Sequence, residues 1–266
     1  MTITTPRLES LAIQVEAVAR RAGEAIMEVY ANDDLGVSYK GDSSPLTEAD
    51  QRSERVIQAG IQALGTEYLI VSEESKQQPF AERSQHDIAW VVDPLDGTKE
   101  FVKRNGEFCV CIALVEAGRP VLGVIHAPVP ARSYVAWRGG GVHTCEAASQ
   151  PLQPLAQREP IDLKSPGLRF CVSRSHLSAA TEAYMRDFDA PKSVPMGSAL
   201  KFCGIADDKI DVYPRHAPTM EWDTAAGQCI LEEAGGVVLH ADTDEALVYN
   251  KEQLVNPHFV AMAPTR

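Results

Sequence analysis

The stretch WVVDPLDGTKEF, from Trp90 to Phe101, constrains the fold more than any other part of the sequence. The apolar run IAWVV is typical of a buried strand, and it ends at Asp93, with Asp96 three positions later. Pro94 fixes φ between them and predicts a turn that brings Asp96 back beside Asp93. A strand that ends in a carboxylate places that charge at the rim of a sheet, where ligands tend to bind. The sequence therefore predicts two neighbouring carboxylates at a sheet edge.

Paired carboxylates of this kind predict a cation site. Two carboxylates held close together repel each other and raise each other's pKa unless a cation lies between them. Oxygen-only ligands at this density suit Mg²⁺, Mn²⁺ or Ca²⁺. Gly97 and Thr98 follow at once, and their backbone N–H groups and hydroxyl suit phosphate oxygens. The alternative for the segment taken alone is a solvated, aspartate-rich turn.

Three further carboxylates argue against that alternative. Glu73 ends the apolar run of YLIVSEES, and Asp50 lies in the first turn of a predicted helix. Asp223 lies within EWDTAAG, where Trp222 and Ala225 argue against a fully solvated position. Either aspartate alone is explained by its favourable interaction with a helix dipole. Together, acidic residues at several element ends favour one shared metal site.

The periodicity of the chain predicts a layered α/β protein. Apolar residues from Leu8 to Val29 recur at helical spacing, and a second helix is expected from a capping box at Thr47 and Asp50 to near Gly65. Three β-like runs after DIAWVV predict an antiparallel meander. In the second half, LRFCVS and KIDVYP are strand-like, whereas GSALKFCGIA and the run from Asp223 to Glu233 are helix-like. We expect an N-terminal α+β domain over residues 1–160 that carries the metal site. A C-terminal α/β domain over 161–266 would complete the site and bind the substrate. The stretch Thr144–Leu168 would connect them and pair in part at a sheet edge.

Charge and hydropathy exclude several classes of function. The chain has 266 residues and a net charge of −12, and it contains no Lys/Arg-rich run, so no nucleic-acid polymer is expected as a partner. No apolar run approaches the roughly 20 residues that span a bilayer. The segment MTITTPRLES lacks the features of a secretory signal. A cytoplasmic protein is expected, and a homo-oligomer is compatible with the sequence.

The cysteines predict buried free thiols. None of the six is spaced C-x-x-C, and cysteine is among the residues most often buried. Cys109 and Cys111 would share one face of a strand, but no other ligand pair is placed in sequence to complete a zinc site. Nothing in their spacing implies an oxidising compartment.

Four segments carry a resemblance to a known family. WVVDPLDGTKEF, VSEES, SPLTEAD and EWDTAAGQCILEEAGG resemble, in order and spacing, the conserved segments of the inositol monophosphatase superfamily. These are Mg²⁺-dependent, lithium-sensitive phosphatases. The resemblance implies the layered α-β-α-β-α sandwich of the inositol monophosphatase/fructose bisphosphatase type, with two or three Mg²⁺ ions per site.

A narrower resemblance concerns the substrate. DGTKEF and GSALKFC…VYPRHAPTMEWDTAAG are similar to segments of the 3′(2′),5′-bisphosphate nucleotidases. Inositol monophosphatases more often carry Thr-Asn where this chain has Lys99 and Glu100. The resemblance therefore implies a small-molecule phosphate substrate, a nucleotide bisphosphate, and a role in sulfur metabolism.

The resemblance also implies roles for individual residues. Glu73 and Asp93, with the carbonyl of Leu95, would ligate a first metal ion, and Asp93, Asp96 and Asp223 a second. Asp50 would lie by a third, weaker ion or its water, and Thr98 with Asp50 or Glu73 would position the attacking water. Residues implied to contact the substrate are Glu73, Leu95, Asp96, Gly97, Thr98, Gly197, Ser198, Lys201 and Asp223, with Arg174, His176 and Arg215 as further candidates.

The predicted activity is hydrolysis of the 3′-phosphate of adenosine 3′,5′-bisphosphate, and of its 5′-phosphosulfate form, by water that Mg²⁺ activates. Three alternatives stay open. A haloacid-dehalogenase-type phosphatase would use an aspartate nucleophile, but its D-x-D-G-T has two-residue spacing. The same fold could act on inositol phosphates or fructose 1,6-bisphosphate. A catalytically silent binding module would be expected to lose carboxylates that this chain keeps.

Overall fold

A computed structural model describes residues 2–39, 45–146, 150–172 and 178–266 of the chain. The α-helices are α1 (Thr5–Tyr30), α2 (Glu48–Ala63), α3 (Phe80–Arg83), α4 (Thr98–Val102), α5 (Ala179–Met185), α6 (Leu200–Ala206) and α7 (Ala225–Glu233). The strands are β1 (Ser38–Tyr39), β2 (Pro45–Leu46), β3 (Leu69–Ser72), β4 (Ile88–Asp96), β5 (Cys109–Glu116), β6 (Arg119–Ala127), β7 (Arg132–Trp137), β8 (Gly141–Cys145), β9 (Gln153–Pro154), β10 (Arg169–Val172), β11 (Lys192–Pro195), β12 (Val212–Arg215), β13 (Val237–His240) and β14 (Phe259–Met262).

The strands of the described residues form three sheets. Strands β1 and β2 pair as a small ribbon. A seven-stranded sheet has the order β3-β4-β5-β6-β7-β8-β9, and a five-stranded sheet has the order β11-β10-β12-β14-β13. From β4 to β9 each strand pairs antiparallel with the next, which confirms the predicted meander. The short β9 lies within Thr144–Leu168, so part of that connection does pair at a sheet edge.

Alternating side chains of β4 show why the sheets are layered between helices. Trp90 and Val92 pack into the core shared with α1 and α2, whereas Ala89 and Val91 face the opposite core. Side chains on a strand alternate between its two faces, so a strand that is apolar throughout must be covered on both sides. Such a strand requires helices on both faces of its sheet.

The second face of the seven-stranded sheet packs on α6 and α7, and these helices pack in turn on the five-stranded sheet. Helix α5 covers the far face of that sheet, where Met185 contacts the core around Phe170 and Val212. The order of layers is therefore helix, sheet, helix, sheet, helix, which confirms the predicted sandwich. The division into residues 1–160 and 161–266 stays a prediction, and the central core draws on both ranges.

The first two helices form as the sequence predicts. The apolar positions of α1 from Leu8 to Val29 are buried. Thr47 caps α2 through a capping box with Asp50, and Gly65 follows the helix with a φ of 65°. None of the helices described by the structure is long and apolar enough to span a bilayer.

Two predicted boundaries were wrong. Strand β4 does not end at Asp93 but continues through Pro94 to Asp96. Pro94 is tolerated because a bulge interrupts the pairing there, so the missing N–H leaves no gap in the ladder. Asp223 does not lie within α7 but in a 3₁₀ turn, Glu221–Asp223, directly before it.

Candidate functional site

The bulge in β4 places Asp93 and Asp96 on one face of the sheet. Asp93 pairs with Cys111 and Asp96 with Cys109, so Pro94 and Leu95 together stand opposite a single residue of β5. Residues three apart on a regular strand point to opposite faces, whereas one extra residue restores the same face. The bulge at Pro94 and Leu95 therefore directs both carboxylates to the face of the sheet that α6 and α7 cover.

Two more carboxylates converge on Asp93 from separate elements. Carboxylate oxygens of Glu73, Asp93 and Asp223 lie within 4.8 Å of one another. The backbone N–H of Glu73 donates to the carbonyl of Val92 at 3.1 Å, which fixes Glu73 beside the end of β4. Asp223 is fixed by the N–H of Met220, which donates to its carboxylate at 2.8 Å. Residues separated by 150 positions in the chain thus form one cluster.

Ionised carboxylates repel one another in this cluster when no cation is bound. Burial, then the charges of Glu73, Asp96 and Asp223, raise the pKa of Asp93 well above its usual range. Burial and the nearby Asp96 raise the pKa of Asp223 to about 8. Burial also raises the pKa of Asp96 to about 6, although Lys201 opposes that rise. Clustered carboxylates of this kind fit a hard divalent cation, which would supply the missing positive charge.

Thr98 and Asp50 meet at the edge of this cluster. The Asp50 carboxylate accepts hydrogen bonds from the backbone N–H of Thr47 at 2.7 Å and from the Thr47 hydroxyl at 2.6 Å. Its other oxygen lies 3.3 Å from the Thr98 hydroxyl, which is also 3.3 Å from the carbonyl of Leu95. The Thr98 hydroxyl has one proton and can donate to only one of these acceptors at a time. Its lone pairs stay available to accept a hydrogen bond from a water, whereas a phosphate oxygen would need the hydroxyl proton itself.

Gly97 makes the turn between β4 and α4. Its φ is 94°, and a Cβ atom there would lie 2.9 Å from the carbonyl oxygen of Glu107. Both the backbone angle and the close approach require glycine. The turn brings Thr98 directly beneath the carboxylates.

The carboxylates open into a cleft with two connected lobes. The first lobe has a volume of about 380 Å³ and contains Glu73, Asp93, Leu95 and Thr98. The second has a volume of about 250 Å³. Both lobes are lined by Asp96, Gly97, Lys99, Glu100, Thr219 and Asp223. The second lobe is further lined by Met196, Gly197, Ser198, Ala199, Lys201, Phe202, Tyr213, Arg215 and Thr224.

Besides Lys99, which lines both lobes, two cations among the described residues line the second lobe alone. Lys201 is only 7% exposed, and its ammonium donates to the carbonyl of Ser198 at 2.9 Å and lies 5.3 Å from the ring centre of Tyr213. Arg215 donates to the carbonyl of Pro218 at 3.1 Å. Within the described residues, the Nε of Arg215 is buried and has no hydrogen-bond partner. Arg215 therefore retains donor capacity for an anion in this lobe.

The segment before α6 is shaped to line the same lobe. The N–H of Gly197 donates to the Glu107 carboxylate at 2.9 Å. Ser198 has a φ of 50°, which is unusual for a residue with a side chain and is typical of constrained sites. Ala199 donates its backbone N–H to Asp96, so this segment also fixes a carboxylate of the cluster.

The structure brings together the singled-out residues that it describes, since each of them lines the cleft or contacts a residue that does. Arg174 and His176 lie outside the described residues. Sequence reasoning missed Tyr213, Thr219 and Glu107. Tyr213 lies beside Arg215 in a segment already singled out, but no pattern marks Glu107, whose role depends on the distant Gly197.

The fold and this cleft define a layered α/β protein with a carboxylate centre between two sheets. Residues 7–264 match the inositol monophosphatase family, and the chain belongs to that family. The 3′(2′),5′-bisphosphate nucleotidase CysQ of Escherichia coli strain K12 is 40% identical over 249 residues, which are 92% of this chain and 97% of that protein. CysQ of Haemophilus influenzae is 33% identical over 254 residues, or 95% of this chain and 92% of that protein.

Solved structures agree with this membership. The crystal structure of CysQ from Bacteroides thetaiotaomicron has a TM-score of 0.84 and 39% identity, and the match covers 97% of this chain and 98% of that one. The inositol monophosphatase from Anabaena sp. PCC 7120 has a TM-score of 0.73 at 22% identity, over 98% of this chain and 92% of that one. The second likeness is one of fold alone.

Proposed function

We propose that the protein is a Mg²⁺-dependent 3′(2′),5′-bisphosphate nucleotidase. It removes the 3′-phosphate of adenosine 3′,5′-bisphosphate, and of its 5′-phosphosulfate form, to give inorganic phosphate. The observation that carries the proposal is the likeness to proteins named CysQ, at 40% identity over nearly the whole chain. The cleft supports it, because a carboxylate centre in one lobe adjoins a second lobe to which Lys201 and Arg215 add positive charge.

The carboxylates are proposed to hold the metal ions. Glu73 and Asp93 with the carbonyl of Leu95 would hold one ion, and Asp93 with Asp96 and Asp223 another. A divalent cation supplies charge that offsets the phosphate and lowers the pKa of a nearby water. The distances between the carboxylates support a shared metal centre, since Glu73, Asp93 and Asp223 offer oxygens within 4.8 Å of one another. Two or three Mg²⁺ ions per site are proposed.

Thr98 and Asp50 are proposed to orient the attacking water. The Asp50 carboxylate can accept a hydrogen bond from the Thr98 hydroxyl, which leaves the hydroxyl oxygen oriented to accept a hydrogen bond from the water. Gly97 and Thr98 would contact the transferred phosphate at the turn between β4 and α4. Phosphoryl transfer depends mainly on position and charge neutralisation, and this chain fixes these groups through its backbone hydrogen bonds.

The second lobe is proposed to bind the 5′-phosphate. That group carries roughly two negative charges at neutral pH, and the protein as a whole is acidic. Among the described residues three cations line the lobe, Lys99, Lys201 and Arg215, and of these Lys201 and Arg215 line this lobe alone, together with Gly197 and Ser198. Inositol phosphates and fructose 1,6-bisphosphate are not favoured as substrates, because the relatives at 40% identity over nearly the whole chain are named bisphosphate nucleotidases. Cytoplasmic location and inhibition by Li⁺ are further parts of the proposal.

A phosphate-release assay tests the proposal. Purified protein with Mg²⁺ is given adenosine 3′,5′-bisphosphate, inositol 1-phosphate and fructose 1,6-bisphosphate at matched concentrations. We expect the value of kcat/KM for the nucleotide to exceed the others by at least roughly 10-fold, which is about 1.4 kcal/mol of differential transition-state binding. A preference for inositol 1-phosphate would contradict the nucleotidase assignment and leave the family membership intact.

A further inference from the structure

Two thiols lie against a carboxylate of the cleft. Cys109 and Cys111 occupy one face of β5, and their sulfur atoms are 3.8 Å apart. Asp96 pairs with Cys109 across the bulge, and one carboxylate oxygen and both sulfurs lie within 4.8 Å of one another. The sequence showed only that the two thiols share a face. The third ligand becomes visible when β4 is placed beside β5.

The geometry suits a soft tetrahedral cation. With Zn–S bonds of about 2.3 Å, two thiolate sulfurs of a tetrahedral site lie roughly 3.8 Å apart. The observed separation of the two sulfurs already has this value. The carboxylate oxygen would have to move closer by about 1.2 Å at most to complete three ligands, since the atoms lie within 4.8 Å of one another and a tetrahedral S···O separation is roughly 3.6 Å. A rotation of the Asp96 side chain supplies such a movement.

One residue of the group lines the cleft, and the other two are buried. Asp96 lines both lobes and neither cysteine lines either of them, so a cation in the cleft reaches this carboxylate before it reaches the sulfurs. Cys109 and Cys111 are buried, at 0% and 1% exposure. The hydroxyl of Ser198, a residue that lines the second lobe, lies 3.5 Å from the Cys109 sulfur. Three protein ligands would leave the fourth position of a tetrahedral cation to a water.

We propose that Cys109, Cys111 and Asp96 form a binding site for a thiophilic divalent cation, Zn²⁺ or Cd²⁺, and that its occupation inhibits the enzyme. Binding exchanges two S–H bonds for two metal–sulfur bonds, and both thiol protons pass to solvent. The Asp96 carboxylate turns toward the sulfurs and leaves the carboxylate centre of the first lobe. Mg²⁺ does not compete for the thiolates, because it prefers oxygen ligands. The inhibitory step, unlike the binding step, rests on the proposed function.

Cadmium binding tests the site without any assay of activity. Wild-type protein is titrated with Cd²⁺ in excess Mg²⁺, and thiolate-to-cadmium charge-transfer absorption is followed in the ultraviolet. We expect one Cd²⁺ per chain with this absorption in the wild type and its loss in Cys109→Ser/Cys111→Ser. The matched control is Cys145→Ser, a buried strand cysteine at the far end of the same sheet, and it should retain the absorption. Cys109→Ala and Cys111→Ala, made singly, should each weaken binding roughly 10-fold or more, and thermal unfolding checks that each variant folds.

Inhibition is measured in parallel as phosphate release at saturating Mg²⁺. Equimolar Cd²⁺ should lower the wild-type rate roughly 10-fold or more, and should change the rate of the double variant less than roughly 2-fold. Equal absorption in the wild type and the double variant, or none in the wild type, overturns the site. Full activity of the cadmium-loaded wild type overturns the inhibitory step alone. Cysteine-dependent absorption in a protein that releases phosphate from no substrate would leave the site standing and sink the proposed function.

Discussion

The carboxylate of Asp50 and the hydroxyl of Thr98 lie 3.3 Å apart, although 48 positions separate them in the chain. Asp50 is at the same time the N3 residue of the capping box of α2. The Asp50 carboxylate therefore caps the N-terminus of α2 and also orients the Thr98 hydroxyl in the cleft. The position of Thr98 depends on how firmly α2 is capped.

We expect Thr98→Val to lower kcat by roughly 100-fold and to change KM little. Loss of one proton-accepting group in the transition state typically costs a factor of about 100 or more. Valine preserves the shape of threonine but removes the hydroxyl. Thr98→Ser is the control and should retain most of the activity. Steady-state kinetics with adenosine 3′,5′-bisphosphate provide the measurement, and a Thr98→Val enzyme as fast as Thr98→Ser would remove Thr98 from the mechanism.

Asp93→Asn should nearly abolish activity at any Mg²⁺ concentration. Asp93 lies at the centre of the carboxylate cluster, 2% exposed, and one of its oxygens already accepts the N–H of Leu95 at 2.9 Å. Losing a few kcal/mol of charge stabilisation lowers the rate by about 1000-fold or more. The amide should leave the fold intact, because it relieves repulsion within the cluster. A variant with half of the parent rate at saturating Mg²⁺ would show that Asp93 holds no essential metal ion.

Sequence reasoning identified the acidic residues of the centre but not the geometry that joins them. Strand-ending carboxylates are visible as local patterns, since each follows an apolar run. The bulge at Pro94 and Leu95 leaves no such local pattern, because it depends on how β4 pairs with β5. The prediction of a turn at Pro94 was therefore wrong, while its consequence, that Asp96 lies beside Asp93, holds.

The same limit applies to the second lobe. Helix α6 and strand β12 were predicted, but the contact of Glu107 with Gly197 joins the two halves of the chain and has no local signal. The Asp96–Cys109–Cys111 group was hidden for the same reason. Patterns along the chain predicted the elements and the chemistry of single residues. Contacts between distant strands determined which residues act together.

Metal-free protein should become less stable as the pH rises from 5 to 8. The pKa of Asp223 in the folded protein is about 8, because burial and the nearby Asp96 oppose its ionisation, whereas a free aspartate has a pKa of about 3.9. Between these values the folded state holds a proton that the unfolded state has lost, so the free energy of unfolding falls with rising pH. Thermal unfolding in a chelator measures this trend.

Two controls separate this effect from other titrations. The amide side chain of the Asp223→Asn variant does not titrate. The unfolding temperature of this variant in chelator should therefore depend less on pH than that of the wild type. Added Mg²⁺ should raise the unfolding temperature of the wild type more at pH 8 than at pH 5. Identical pH profiles for the wild type and Asp223→Asn in chelator would contradict the assignment.

Gly23→Ala should destabilise the protein, although alanine favours a helix by about 1 kcal/mol over glycine. A Cβ atom at Gly23 would lie 2.5 Å from the ring of His126. That ring is 3% exposed, and its Nδ1 lies 2.9 Å from the Ser133 hydroxyl, so it cannot move aside freely. Overpacking of this kind costs about 1–3 kcal/mol. Denaturant unfolding should show a net loss, and Gly23→Ala/His126→Ala should lose less than the sum of the two single variants.

Arg215→Met should weaken binding of the nucleotide bisphosphate while sparing simpler substrates. The Nε of Arg215 is buried without a hydrogen-bond partner among the described residues, and Arg215 lines the second lobe only. A charge-assisted contact to the 5′-phosphate predicts a rise in KM of roughly 10-fold, or about 1.4 kcal/mol. An aryl phosphate has no second phosphate, so its kcat/KM should stay within about 2-fold.

Lys201→Met should differ from Arg215→Met in one measurable respect. Lys201 opposes the rise in the pKa of Asp96, so it acts on the carboxylate centre as well as on the second lobe. We therefore expect Lys201→Met to raise KM for the bisphosphate and also to lower kcat for the aryl phosphate by roughly 10-fold. The excess loss should shrink at higher pH, because Asp96 then ionises without help from the ammonium. Equal losses on both substrates in Arg215→Met would show that the second lobe does not bind the 5′-phosphate through this guanidinium, whatever the result for Lys201.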